Sequence, residues 1–161
     1  MTNLTRRTVM IGTGALMVAP PSLAMAAASH EILMLNKHPE DRKQRMVFHP
    51  KLINIGVGDT VKFVSTDKGH NCASVDDMIP EGAEAWDGKI NKDIEVSFSV
   101  PGVYGYKCTP HLSVGMVGMI LVGGPEEMTN LEAAMGVRHR GKAKKNFAAL
   151  FEMAQEQGLV A

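Results

Sequence analysis

The sequence predicts a mainly β protein, an antiparallel sandwich followed by two C-terminal α-helices. Short apolar runs, separated by Gly and Pro turn residues, fill positions 30–122. Short strands at this spacing are typical of antiparallel sandwiches. Beyond Pro125 the composition changes to Ala, Met, Glu and Lys, and an apolar stripe with a helical period follows. The length of 161 residues indicates one domain preceded by a leader.

Residues 1–28 are predicted to be a signal peptide. Arg6–Arg7 end a basic start, an apolar core covers 9–19, and small residues permit cleavage after Ala26 or Ala28. The apolar core is shorter than the roughly 20 residues that a membrane span needs. The arginine pair fits twin-arginine export, and it equally fits the general secretory route. Either route leads to the periplasm.

The strands follow from their apolar patterns. In the run 60–64, Val61 and Phe63 alternate with polar neighbours, which predicts a half-buried strand. The run 117–122 is almost continuously apolar and predicts a central, buried strand. Further strands are expected at 31–35, around 48–55, at 95–98 and at 103–107. We expect the sandwich to span residues 29–124.

Two helices are predicted in the extension 125–161. The segment 129–132 has capping-box spacing, and Gly136 would end the first helix. In the second helix an apolar stripe consists of Phe147, Leu150, Phe151 and Ala154. We expect both helices to pack on the sandwich rather than on a membrane or a partner.

The charge balance excludes one class of partner. The chain has 17 basic and 17 acidic residues, and without Arg6 and Arg7 of the leader the net charge is −2. Nucleic-acid binders are strongly basic, so nucleic-acid binding is not expected. We also expect no stable membrane insertion, and a monomer.

A metal site is predicted in the loop that follows strand 103–107. Cys108, His111 and Met116 place a thiol, an imidazole and a thioether within nine residues. Two His, one Cys and a distant Met are the ligands of copper electron-transfer sites. The second imidazole is expected from His70, at the edge of another strand.

The two cysteines, Cys72 and Cys108, leave a choice open. A cysteine pair in an exported protein is ordinarily a disulfide, but the donors around Cys108 favour a ligand there. We interpret Cys72 as a small buried hydrophobe. The alternative is that Cys72 perturbs the site or is oxidised with Cys108 when copper is absent. Trp86, the only tryptophan, is interpreted as a packing residue.

Four segments closely resemble the pseudoazurins, which are small blue copper proteins of the cupredoxin family: 70–71, 78–84, 108–111 and 115–116. The resemblance extends from about His30 to the C-terminus, apart from a few extra residues near 38–44. It implies a cupredoxin-like antiparallel Greek-key β-sandwich with two C-terminal α-helices, and one type 1 copper per chain. The implied ligands are His70, Cys108, His111 and Met116.

Residues around the ligands are assigned supporting roles. Asn71 would tie the two ligand-bearing segments together by hydrogen bonds, although it is also an ordinary turn residue. Thr109 and Pro110 lie between the ligands, and Pro110 stiffens the loop. Met46 corresponds to a methionine near the loop histidine in the family, and the alternative is ordinary packing. The remaining histidines are interpreted as surface residues: His30, His38, His49 and His139.

A site of this kind could belong to an electron carrier, to an enzyme, or to a metal-handling protein that delivers copper or holds structural zinc. An enzyme would need an open metal position and a nearby acid or base, and neither is visible. The 12 methionines are dispersed and not clustered as copper delivery would favour. The sequence therefore predicts a one-electron carrier.

By the resemblance, the carrier would serve periplasmic redox enzymes, typically a copper nitrite reductase. An apolar face and a basic rim would bind an acidic partner, unless the lysines are simply solvated. The apolar residues proposed are Pro110, Leu112, Pro80 and Met46. The lysines proposed are Lys37, Lys68, Lys89 and Lys107.

Overall fold

Two four-stranded sheets pack face to face in the computed structural model, which describes residues 27–161. The first sheet has the order β2-β1-β4-β6 and consists of β1 (Ser29–Lys37), β2 (Arg45–His49), β4 (Thr60–Val64) and β6 (Ile94–Ser97). The second sheet has the order β3-β8-β7-β5 and consists of β3 (Leu52–Ile55), β5 (Ala73–Ser74), β7 (Gly102–Lys107) and β8 (Val117–Val122). Two helices follow, α1 (Leu131–Gly136) and α2 (Gly141–Glu156).

The predicted fold class is confirmed, with one difference in strand direction. β1 pairs with β4 and β3 with β8 in parallel, whereas the other four pairings are antiparallel. The apolar region predicted around 48–55 is two strands, because the chain passes from the first sheet to the second at Pro50. This change of sheet places β3 beside β8 instead of beside β2.

Aromatic side chains fill the space between the sheets. Trp86 packs on Phe63 and Phe98, with ring centroids 6.1 and 5.7 Å apart. Tyr106 lies edge-on to Phe48 at 4.8 Å. Aromatic pairs in this geometry add about 0.5–1.5 kcal/mol to the gain from burial. The interpretation of Trp86 as a packing residue is confirmed.

The helices cover the outer face of the second sheet. Alternate residues of β8 explain its unbroken apolar sequence, because Ile120 packs between the sheets while Met119 and Leu121 pack against the helices. The predicted stripe of α2 is buried at all four positions, namely Phe147, Leu150, Phe151 and Ala154. β8 is therefore the central, buried strand that the sequence predicts.

The start of α1 differs from the prediction. No side-chain cap forms at Asn130, and the predicted capping box at 129–132 is absent. The Asn130 amide instead accepts a hydrogen bond from Val103 N at 2.8 Å and donates one to Val103 O at 2.8 Å. This side chain joins the first turn of α1 to the beginning of β7.

The four histidines interpreted as surface residues are partly exposed, and each contacts another side chain. His30 Nε2 lies 3.0 Å from Asp59 Oδ2. His38 and His49 contact each other, with ring nitrogens 3.2 Å apart. The His139 ring packs over Phe147, with centroids 4.2 Å apart. All four lie in half-buried positions.

Most of the predicted leader, residues 1–26, lies outside the described residues. Ala28 is described, and its N–H donates to Asp59 Oδ1 at 2.7 Å. Within residues 27–161, no helix combines the length and apolar character needed to cross a membrane.

Replacement of Asn130 by Ala should reduce the free energy of unfolding by about 1–3 kcal/mol, because the N–H and C=O of the buried Val103 lose their partner. Chemical denaturation measures the change. Thr129→Ala is the matched control, since Thr129 is exposed and makes no side-chain hydrogen bond within residues 27–161. An equal loss in both variants would contradict a specific role for the Asn130–Val103 hydrogen bonds.

Candidate metal centre

Three predicted ligands come together at one end of the sandwich. Cys108 follows the last residue of β7, and His70 lies between β4 and β5. Cys108 Sγ lies 3.7 Å from His70 Nδ1 and 3.5 Å from His111 Nδ1, and the two nitrogens are 3.1 Å apart. The sequence predicted these three residues as ligands, and they form one cluster although His70 and Cys108 are 38 positions apart.

The three donor atoms fit a metal ion. The three donor atoms form a triangle with sides of 3.1, 3.5 and 3.7 Å, and one point lies about 2.0 Å from all three atoms. This distance equals a typical zinc–nitrogen bond length and is slightly shorter than a typical zinc–sulfur bond. Two imidazoles and a thiolate in a trigonal set, with a weak axial Met, are characteristic of electron-transfer copper. Met116 is fully buried in the same core cluster as Cys108.

Backbone hydrogen bonds hold the ligand loop. Cys108 N donates to Met116 O at 3.0 Å, and Met116 N donates to His111 O at 3.1 Å. Gly115 has φ 90°, the left-handed region that favours glycine. A Cβ at Gly115 would lie 2.5 Å from the Asn146 Nδ2 atom, which donates to Gly115 O at 2.7 Å. The loop is therefore fixed both within itself and to α2.

Asn36 orients His70 and was missed by sequence reasoning. Its Oδ1 lies 3.0 Å from His70 Nε2. An N–H at Nε2 that donates to Asn36 leaves Nδ1, the nitrogen that faces Cys108, as the metal donor. Burial, followed by the nearby His111, lowers the pKa of His70 and favours the neutral imidazole that binds metal. Asn36 lies on β1, and no motif in the sequence marks it.

Asn71 connects the two ligand-bearing segments. Its Oδ1 accepts a hydrogen bond from Thr109 N at 2.8 Å, and its Nδ2 donates to Thr109 Oγ1 at 3.2 Å and to Gly88 O at 3.0 Å. Burial raises the pKa of the Cys108 thiol, while hydrogen bonds from the backbone N–H groups of Asn71 and His111 oppose that shift. Both N–H groups therefore stabilise a thiolate at Cys108.

The other proposed neighbours differ in position. Met46 is half-buried and packs against the core cluster that contains Cys108 and Met116. Pro110 is exposed and Leu112 is half-buried on the ligand loop.

Pro80 requires a correction, because it does not lie on the proposed contact face. It is buried, and a Cβ on Gly102 would lie 3.0 Å from its Cβ. Gly102 begins β7 and Cys108 follows its end, a separation of about 20 Å along the strand. The short segment around Pro80 therefore covers the opposite end of the sandwich.

The proposed lysines also differ in their surroundings. Lys37, Lys68 and Lys89 are exposed. Lys107 is half-buried in a cleft that it shares with Asp76 and Asp87. The cleft around Lys107 therefore carries two acidic residues as well as one basic residue.

Sequence reasoning missed two arginines beside the ligand loop. Arg138 and Arg140 line a cleft of about 450 Å³ together with Pro110, Leu112 and Ser113. The signal was present in the sequence, because residues 133–151 contain five Lys and Arg and no acidic residue. The cationic surface near the site is therefore wider than the lysines indicate.

Comparison with known proteins agrees with this geometry. The family described as copper binding proteins, plastocyanin/azurin family, matches residues 35–123. The pseudoazurin of Paracoccus pantotrophus is 42% identical over 129 residues, covering 80% of this chain and 84% of the relative. The chain belongs to the pseudoazurin family. A second relative, the pseudoazurin of Methylorubrum extorquens, is 37% identical over 147 residues. The match includes 91% of this chain and 96% of the relative.

A solved structure supports the assignment. The pseudoazurin from Sinorhizobium meliloti has a TM-score of 0.74 and 46% sequence identity, with 81% of this chain and 98% of that chain covered. Membership of this family and the donor set together assign one type 1 copper, with His70, Cys108, His111 and Met116 as its ligands. The chain is thus a copper electron carrier by family and by site.

Replacement of Asn36 by Ala should weaken copper binding by about 10- to 100-fold, because His70 loses the acceptor that orients its ring. Competition with a chelator of known affinity measures the change. Asn54→Ala is the matched control, since Asn54 is an asparagine whose side chain donates to Leu121 O and Gly123 O, at the end of β8 away from the ligands. Equal copper affinity in wild type and Asn36→Ala would contradict this role.

Proposed function

We propose that this protein is a periplasmic one-electron carrier that donates electrons to a copper nitrite reductase or a similar redox enzyme. The carrier role follows from a ligand set supplied entirely by the protein, with His70, Cys108 and Met116 each 0% exposed. The nitrite reductase partner is what the family resemblance implies. The periplasm is supported by the predicted signal peptide at 1–28.

The bound copper would supply one-electron exchange between Cu(I) and Cu(II). The protein fixes the donor atoms before and after the transfer, through the Asn36–His70 and Asn71–Thr109 hydrogen bonds. Soft sulfur donors suit Cu(I), and imidazole suits both states. A fixed compromise geometry keeps the structural change on electron transfer small.

His111 provides the route to a partner. It is the half-buried ligand, on the loop that also presents the exposed Pro110 and the half-buried Leu112. Electrons can pass between this ring and a redox centre in a protein that covers the loop. The apolar contact around His111 therefore consists of loop residues. Met46 lines a cleft with Gly115 of that loop, and Pro80 is removed from the proposed set.

Four exposed cationic residues in segments next to this contact are called the charge ring here: Lys37, Lys68, Arg138 and Arg140. Lys37 follows Asn36, which binds His70, and Lys68 is two residues before His70. Arg138 and Arg140 line a cleft together with Pro110 and Leu112 of the ligand loop. Complementary charge accelerates encounter more than it strengthens the final complex. An acidic surface around the partner's electron entry site fits this ring.

Copper delivery is the alternative function, and burial argues against it. A delivery protein must release its metal, which favours exposed ligands. Three of the four ligands here have no exposed surface, and the ligand loop is closed by hydrogen bonds to its own backbone and to Asn146. Electron transfer without metal release agrees better with this site.

The charge ring can be tested with neutralising variants. Lys68→Gln and Arg138→Gln should each lower the bimolecular rate of electron transfer to a copper nitrite reductase at low salt, by about two- to tenfold, and should flatten its dependence on ionic strength. Lys62→Gln is the matched control, because Lys62 lies in register with Glu31, near the end of β1 remote from Asn36, and forms its ion pair with Asp93 at 3.4 Å. Stopped-flow absorbance measures the rate.

Two results would argue against this proposal. Identical rates and salt dependence in all three variants would exclude steering by the charge ring. Rapid transfer of copper to an apo acceptor protein, with the metal leaving this chain, would favour the delivery function instead.

A further inference from the structure

The register of β5 and β7 places the two cysteines directly opposite each other. Ala73 pairs with Lys107 and Ser74 with Tyr106. One residue beyond the Ala73–Lys107 pair, the same register places Cys72 opposite Cys108. The next residues in this register are Asn71 and Thr109. The hydrogen bond of 2.8 Å from Thr109 N to Asn71 Oδ1 shows that the two segments are still adjacent there.

The hydrogen-bonding pattern makes the cysteine pair suitable for a disulfide. Val75 N donates to Gly105 O at 2.8 Å, and hydrogen-bonded and non-hydrogen-bonded pairs alternate in an antiparallel ladder. Counting from Val75, Cys72 and Cys108 form a non-hydrogen-bonded pair. Cα atoms in such pairs are about 4.5 Å apart, which falls within the range of roughly 4.4–6.8 Å found in disulfides.

The two side chains also share one environment. Directly opposed residues of an antiparallel pair point to the same face, and Cys72 and Cys108 belong to the same core cluster with 0% exposure each. The Trp86 Nε1–H group donates to Cys72 Sγ at 3.4 Å. This contact holds the Cys72 sulfur on the side of the sheet that contains the copper site.

We propose that Cys72 is a resolving cysteine for the copper ligand: in the copper-free protein it forms a reversible disulfide with Cys108. The oxidant is a peroxide. In the first step the Cys108 thiol takes one oxygen from hydrogen peroxide, forming a sulfenic acid and water. In the second step the Cys72 sulfur attacks the Cys108 sulfur, the S–O bond breaks, and a second water leaves with the Cys72 proton. The two cysteines together lose two protons and two electrons, and the peroxide is reduced to two water molecules.

This chemistry would protect the empty site. Without a neighbouring thiol, a sulfenic acid is oxidised further to sulfinic and sulfonic acids, which thiol reductants do not reverse. A disulfide at Cys108 blocks copper binding while it lasts and returns the ligand when it is reduced. Because bound copper would engage the Cys108 sulfur, the copper-loaded protein is expected to resist oxidation by peroxide.

The inference uses the assignment of Cys108 as a copper ligand, but its test reads thiols rather than electron transfer. Copper-free protein with both thiols reduced is exposed to hydrogen peroxide, and free thiols, intact mass and a linked peptide that contains Cys72 and Cys108 are followed. The wild type should lose both thiols and two hydrogen atoms in mass, and dithiothreitol should restore full copper uptake.

Two matched experiments sharpen the test. In Cys72→Val, Cys108 should gain two or three oxygen atoms, and the copper uptake recovered with dithiothreitol should be about tenfold lower than in the wild type. Copper-loaded wild type should keep both thiols over the same exposure. Gain of oxygen on Cys108 in the wild type, with Cys72 still a free thiol, would overturn the proposal. That outcome would leave the carrier function untouched, since a coloured, redox-active copper site needs only Cys108.

Discussion

Burial of β7 and β8 on both faces is the constraint on which the site depends. The two strands lie in the middle of their sheet, covered by the first sheet on one side and by the helices on the other. The connection between them is the ligand loop, so Cys108 and Met116 begin and end a segment whose two ends are fixed. The hydrogen bond from Cys108 N to Met116 O, at 3.0 Å, continues the ladder into the loop. Rigid strands thereby set the positions of two sulfur ligands.

The imidazole ligands depend on side-chain amides in a complementary way. His70 lies on a connection between strands, where the backbone alone fixes a ring poorly, and Asn36 and Asn71 act from either side of it. One amide orients the ring, and the other joins its segment to Thr109 beside Cys108. A type 1 copper carrier needs ligands whose geometry stays nearly the same when the metal changes its oxidation state. Here the fold supplies this geometry by packing at the sulfurs and by hydrogen bonds at the nitrogens.

The parts of this arrangement that are local in sequence were predictable, and those set by tertiary contacts were not. Cys108, His111 and Met116 lie in one loop, and the stripe on α2 follows a simple helical period, so sequence alone identifies them. The role of Asn36 depends on which strand lies beside His70. Three further features depend equally on how distant segments pack. They are the position of Pro80 at the far end of the sandwich, the hydrogen bonds between Asn130 and Val103, and the two parallel strand pairings. The pair of Cys72 with Cys108 needs the strand register, which the sequence does not specify.

The measurement that tests the copper assignment most directly is the visible absorption spectrum of the reduced-thiol protein after addition of one Cu(II), before and after ascorbate. An intense visible band from copper bound to the Cys108 thiolate is expected, lost on reduction and regained on reoxidation. The band should be absent in Cys108→Ser and retained in Cys72→Val. A wild type that remains colourless with Cu(II), although both thiols are titratable, would contradict the assignment of Cys108 as a ligand of type 1 copper.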